Sequence, residues 1–162
     1  MSAMSQTFRF DASQVSSRLA QLEGCLPKIA ERAMALAALR LLRDSIMEMP
    51  TVPRETGTLR GSGSVVVQNK HFMSADPVGG SPTPATAGDA QIGPGEIVAQ
   101  VGFNTPYAAY QHEGVRMDGT HQVSEYTEPG SGAKFLERPL LANAAGYKAI
   151  IGKAITEGLR KC

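Results

Sequence analysis

Tryptophan is absent from this chain, and phenylalanine and tyrosine together supply only 6% of its 162 residues. Large aromatic anchors are therefore scarce. The hydrophobic 42% must build a core mostly from Ala, Leu, Ile and Val. The length fits one domain, spanning 1–162, and leaves little room for a second. A domain of this size buries roughly 70% of its unfolded surface. An alanine-rich core of that extent favours a chain that takes further stability from neighbours.

Neither sign of charge dominates. Sixteen basic residues face fifteen acidic ones, for a net charge of +1. A nucleic-acid binder would normally show a basic excess or stripe, so none is predicted. Long apolar runs are also missing. The most apolar stretch, Ala33 to Leu42, contains Arg40 and is flanked by Glu31, Arg32, Arg43 and Asp44. It is far shorter than the ~20 residues a membrane span needs. Met1 to Phe10 is polar and mixed, so no signal peptide is expected. The expectation is a soluble protein made in the cytoplasm.

Cysteine is nearly absent. Cys25 and Cys162 have no Cys-x-x-Cys or Cys/His spacing, and free thiols in a reducing compartment are the expectation. Reactive constellations are equally thin. His112, Glu113 and His121 form the one cluster with possible metal ligands, but no His-Glu-x-x-His spacing exists. Adjacent His112 and Glu113 diverge on a helix. Cys25 has no histidine partner in view, and no Gly-x-x-x-x-Gly-Lys-Ser/Thr loop is present to cradle phosphate. Gly61-Ser62-Gly63 belongs to a strand pattern and not to a nucleophile elbow. The residues predict no enzyme, no catalytic or metal site and no cofactor. A small metal-dependent hydrolase using His112, Glu113 and His121 is the alternative of another class, and a dimeric binding module of host origin is a third.

What is present is a clear order of elements. Asp11 or Ser13 can cap a helix to about Glu23, ended by Gly24. Pro27 fits the first turn of a second, long helix to Met49, stopped by Pro50. Its apolar residues Ile29, Ala33, Leu36, Leu39, Leu42 and Ile46 recur at steps of three and four. Ala30, Met34, Ala37, Ala38 and Leu41 widen this stripe over most of the girth, which predicts a sheet on one side and a neighbouring subunit on another. From Leu59 the period becomes two: Leu59, Gly61, Gly63, Val65 and Val67 share one face of a predicted strand. Residues 74–95 are rich in Gly, Pro, Ser, Thr and Ala and predict a long flexible loop or arm. Ile97, Ala99, Val101 and Phe103 alternate as a strand ending at Asn104. Thr105 and Pro106 open a short helix, Tyr107 to Glu113, with Gly114 as its left-handed cap. A polar stretch to Gly132, with a hairpin around Gln122 to Thr127, precedes a final helix from Pro139 to about Arg160. Its apolar face is Leu141, Ala144, Ala145, Ile151, Ile155 and Leu159, and its glycines weaken it. The fold class is α+β: a small twisted antiparallel sheet packed against the long helix and the C-terminal helix.

Three segments carry more information together than apart. Pro53-Arg54-Glu55-Thr56-Gly57-Thr58-Leu59-Arg60-Gly61-Ser62 follows the long helix. Tyr107-Ala108-Ala109-Tyr110-Gln111-His112-Glu113-Gly114 follows a strand. Lys134-Phe135-Leu136-Glu137-Arg138-Pro139-Leu140 opens the last helix. In this order they resemble the tailed-bacteriophage neck or tail-completion proteins, also labelled minor capsid or head–tail joining proteins. The resemblance spans roughly Pro27 to Leu159. The sequence departs from it where Gln111 and His112 precede Glu113, and in the long 74–95 insert.

The resemblance implies a structural subunit that assembles into a ring, a hexamer, joining the DNA-filled head to the tail. A tail terminator capping the tail tube is the alternative within the class. The implied partners are identical copies, adaptor or stopper proteins of the neck, and tail-tube or terminator proteins. DNA would pass through the lumen without sequence-specific contacts, and no membrane is involved. The implied location is the head–tail junction of the virion, with the host cytoplasm during assembly. The motif residues are Pro53, Thr56, Gly57, Leu59, Arg60, Tyr107, Tyr110, Glu113, Gly114, Phe135, Leu136 and Pro139. Physically, Gly57 permits a tight exit from the helix and Leu59 points inward. Arg60 points to the other face, toward an acidic residue of the same or a neighbouring subunit. Tyr107 and Tyr110 share one side of a short helix, at the core edge or at an interface. Phe135 and Leu136 anchor the last helix to the sheet.

Overall fold

The computed structural model describes residues 13–53, 57–74, 91–116, 118, 123, 126 and 128–162. It is α+β. The first element, α1, is a single helix of 35 residues, Ser13–Met47, about 52 Å long. The expected break at Gly24 does not occur, and Pro27 sits inside the helix instead of opening a new one. Proline in a helix interior removes one backbone hydrogen bond. Tertiary contacts with the last helix, α5 (Ala144–Lys161), hold the chain helical through that point. The Gln21 side chain donates to the Cys162 carbonyl at 2.5 Å, and Ile29 lies against Gly158. Cys25 and Cys162 are joined in a disulfide, which corrects the expectation of free thiols. They are 137 residues apart, but the side-by-side helices bring their Cα atoms to 6.4 Å.

After α1 the chain forms a one-turn helix, α2 (Thr58–Gly61), and then strand β1 (Gly63–Val67). The predicted strand thus starts four residues late. Gly57, at φ 82°, and the backbone bonds from Gly61 and Ser62 to Gly57 and Thr58 close a helical turn across the stretch read as extended. Gln68 and Asn69 both take positive φ, 51° and 58°. That pair makes a two-residue hairpin into β2 (Lys70–Ser74), a strand the period-two pattern did not reach. Strand β3 (Ala99–Phe103) returns on the other side of β1, so the antiparallel order is β2-β1-β3. Of the 74–95 loop, residues 75–90 lie outside the described residues, as does most of the predicted 122–127 hairpin.

Helix α1 is covered on two sides. Val65 and Val67, with Ala99, Val101 and Phe103, meet Ala35, Ala38 and Leu42. Gly63 makes this approach possible: a Cβ there would lie 2.8 Å from Leu42 and 3.0 Å from Phe103. The second side, with Ala37 and Leu41, meets Tyr147, Ile150 and Ile151 of α5. The width of the apolar stripe is therefore explained largely within the chain. Leu36, expected inside, is 43% exposed.

The last helix is two helices. Glu137–Ala142 forms α4, and Asn143 separates it from α5. Pro139 is the third residue of α4 and is buried, whereas Leu141 is 69% exposed and does not belong to the inward face. The break lets Asn143 donate to Glu48 at the end of α1, 2.8 Å away. One turn on, the Tyr147 hydroxyl donates to buried Asp44 at 2.9 Å, and Arg40 donates to the other oxygen of that carboxylate at 2.7 Å. Burial, then the Asp44 carboxylate, pushes the Tyr147 hydroxyl up to about 12. No helix of the described residues is long and apolar enough to cross a membrane.

Candidate functional site: where the three motifs meet

The chain leaves α1 through Thr51 and buried Val52 and Pro53. Thr51 bridges in parallel to Ser131, its amide donating to the Gly130 carbonyl at 2.9 Å. Arg60, on α2, fastens this crossing. Its Nε donates to the Val52 carbonyl at 2.8 Å, and its Nη2 donates to Thr51 Oγ1 at 3.2 Å and to Glu128 at 2.6 Å. The acidic partner of Arg60 is therefore in its own chain. Sequence reading missed Glu128, because the contact spans 68 residues and no local pattern announces it.

Leu59, Val52 and Phe135 form one buried cluster, edged by Tyr107, Ala108, Leu136, Phe103 and Ile46. All three motif segments contribute to it: Leu59 from the first, Tyr107 from the second, Phe135 and Leu136 from the third. The Phe135 ring meets Phe103 of the sheet edge-on, with centroids 5.4 Å apart. The expected anchoring of the last helices to the sheet is present. Thr56 lies outside the described residues.

The short helix of the second motif, α3, covers Ala108–Glu113. Thr105 does not cap it with its side chain: the Ala108 amide uses the Thr105 carbonyl, and Thr105 Oγ1 is buried without a partner among the described residues. Gly114 ends it in the left-handed region, φ 71°, as expected. A Cβ there would also lie 2.9 Å from Ala133. Tyr107 is half-buried at the core edge, while Tyr110 is 37% exposed. Tyr107 thus takes the core-edge position, and Tyr110 faces outward.

Between α3 and Phe135 runs an open cleft of about 260 Å³, lined by Phe103, Ala108, Ala109, His112, Glu113, Phe135 and Leu136. Glu113 accepts from Lys134 at 2.7 Å and sits 3.1 Å from His112 Nδ1. The Lys134 ammonium, and after it His112, hold the Glu113 carboxyl below its ordinary value. Glu113 and Glu137 together push Lys134 up. His112 Nε2 is buried without a partner among the described residues, and its ring stands edge-on to Phe135 at 5.1 Å. His121 lies outside the described residues, and no group of three metal-ligating side chains occurs among those described. The lining holds one histidine and one carboxylate with no hydroxyl or thiol beside them. Lys134, paired with Glu113 at 2.7 Å and Glu137 at 3.0 Å, ties α3 to the start of α4.

No protein-family model, no curated protein and no solved structure matches this chain.

Proposed function

We propose that this chain is a non-enzymatic structural subunit of a tailed-phage neck, assembling into a hexameric ring that joins the DNA-filled head to the tail. The observation that carries the reading is the convergence of the motifs. Residues separated by more than seventy positions, Leu59 and Phe135, share one buried cluster with Tyr107 and Leu136. Segments chosen for their likeness to the neck proteins are thus also physically one unit. That unit leaves Tyr110, Glu113 and Leu140 on its surface. Tyrosine combines apolar area with a polar tip and is enriched in protein interfaces. Ring closure by rotation requires two different patches on each copy, a head-to-tail contact.

The test is a phage lacking the polypeptide. DNA-filled heads and free tails of normal length, left unjoined, are the expected products. Infectious particles with intact necks overturn the reading. Tails of uncontrolled length point to the terminator position instead. Electron microscopy of the purified necks would show the ring directly.

A further inference from the structure

The first half of α1 is a helix that its own sequence opposes. Gly24 and Pro27 both lie inside it. Both are poor residues for a helix interior, and proline also removes a backbone donor. An added Cβ at Gly24 would meet nothing within 4 Å, so close packing does not require glycine there. Ahead of Gly24 only residues 13–23 remain, fewer than the ~12–15 under which an isolated helix is marginal in water. Burial adds little support. Of the side chains described over 14–28, Leu22 and Cys25 are half-buried and the rest are exposed. The first buried residue of α1 among those described is Ala33. The ties from Gln21 and Cys25 to the end of α5 both end on one residue, Cys162. The Gln21 side chain donates to its carbonyl, and Cys25 is bonded to its sulfur. The hydrogen bond is exposed, where exchange with water leaves it a small net worth. The disulfide is the strong tie. Neither cysteine is fully buried, which leaves the bond open to an attacking thiolate.

We infer that the Cys25–Cys162 disulfide is a redox-sensitive lock on the first half of α1. Oxidised, it holds Ser13–Met47 as one helix. Reduced, the segment ahead of Pro27 unwinds and α1 begins at about Pro27, in the first-turn position that proline favours. The reductant is a dithiol, small or protein-borne. Its thiolate attacks one sulfur and breaks the Cys25–Cys162 bond, and its second thiol then displaces the protein from the mixed disulfide. Two electrons and two protons pass to the protein. Cys25 and Cys162 end as thiols, and the reductant ends as an internal disulfide. The core lies outside the lock. Ala35, Ala38 and Leu42 stay packed on the sheet, and Ala37 and Leu41 stay packed on Tyr147. The switch therefore changes the length of α1 and not the fold. The exposed Leu19 and Leu26 are held on a helix in the oxidised state alone. This inference stands independently of the ring reading.

Hydrogen exchange of the full chain, read by mass spectrometry, compares the oxidised protein with the same protein in dithiothreitol. Amides of 14–26 should exchange about tenfold or more faster after reduction, while those of 33–46 stay protected. Re-oxidation should restore the slow exchange. Cys25→Ser with Cys162→Ser should reproduce the reduced pattern without any reductant. Adding Gly24→Ala and Pro27→Ala to that pair should slow exchange at 14–26 again, because the local opposition to the helix is gone. Equal exchange of 14–26 in the oxidised and reduced protein overturns the lock. Loss of protection at 14–26 and 33–46 together also overturns it, because the disulfide would then clamp the whole fold. A quadruple variant that exchanges as fast as the double one overturns the role given to Gly24 and Pro27, and with it the switch.

Discussion

Three glycines in α5, at 146, 152 and 158, invite the same substitution with opposite results. Around Gly146 and Gly152 an added Cβ would meet nothing within 4 Å. Alanine should stabilise the protein by about 0.8–1.0 kcal/mol at Gly152, the usual helix-interior difference from glycine, and by less at Gly146 in the first turn. At Gly158 the Cβ would fall 2.5 Å from Ile29 Cγ2 and 3.0 Å from Cγ1. Ile29 is branched and belongs to α1, so relief requires the two helices to part. Overpacking of this kind costs about 1–3 kcal/mol. After the smaller propensity gain of a last turn, Gly158→Ala should lose about 1–2 kcal/mol. Urea unfolding of the oxidised protein, followed by circular dichroism, reads all three. The midpoint should rise for positions 146 and 152 and fall for 158, at constant slope. Ile29→Ala removes both close carbons, so adding Gly158→Ala to it should cost little or nothing. If Gly158→Ala stabilises as much as the other two, the close pairing of α1 with α5 is wrong.

Other features give equally direct measurements. Tyr147→Phe removes a bond to a buried carboxylate and should cost about 1.5–3 kcal/mol at neutral pH. The folded Tyr147 hydroxyl stays protonated to about 12, whereas the unfolded one titrates near its ordinary value of about 10. Between those values the unfolded state holds fewer protons. Tyr147 stabilisation is thus complete below about pH 10 and falls by up to about 1.4 kcal/mol per pH unit toward 12; the urea midpoint of Tyr147→Phe should lack this component. Arg60→Met leaves Glu128 and the Val52 carbonyl without their donor and should lose about 1.5–3 kcal/mol, seen as a lowered melting midpoint. Phe135→Ala should cost about 3–5 kcal/mol, while Tyr110→Ala should change the unfolding midpoint little and be detected, if anywhere, in ring assembly. Reducing the Cys25–Cys162 bond frees a 137-residue loop, and the unfolded chain should gain at most about 5 kcal/mol of conformational freedom. Thiol titration without denaturant or reductant should find no reactive thiol.

The sequence was most readable where apolar residues alternate with polar ones or glycine. Ile97, Ala99, Val101 and Phe103 face the core together, as their spacing predicts. It was least readable where a distant contact overrides a local signal. Gly24 and Pro27 argue for a helix break, yet α5 lies alongside and α1 runs through. Leu59 to Gly61 fits a strand period, but the Gly57 turn winds it into a helix. The β1–β2 hairpin rests on Gln68 and Asn69, of which only Asn69 is a ready left-handed residue. At the candidate site, Leu59, Phe135 and Gly114 could be chosen from sequence. Their convergence could not, and neither could the Arg60–Glu128 and Tyr147–Asp44 bonds, which join positions 68 and 103 residues apart.

The Cys25–Cys162 link changes how the polypeptide carries force. Tension applied at Cys162 passes through sulfur into α1 and bypasses both α5 and the sheet. A protease that nicks the backbone anywhere between the two cysteines opens the chain without releasing a fragment, and the two pieces separate only once a reductant is added.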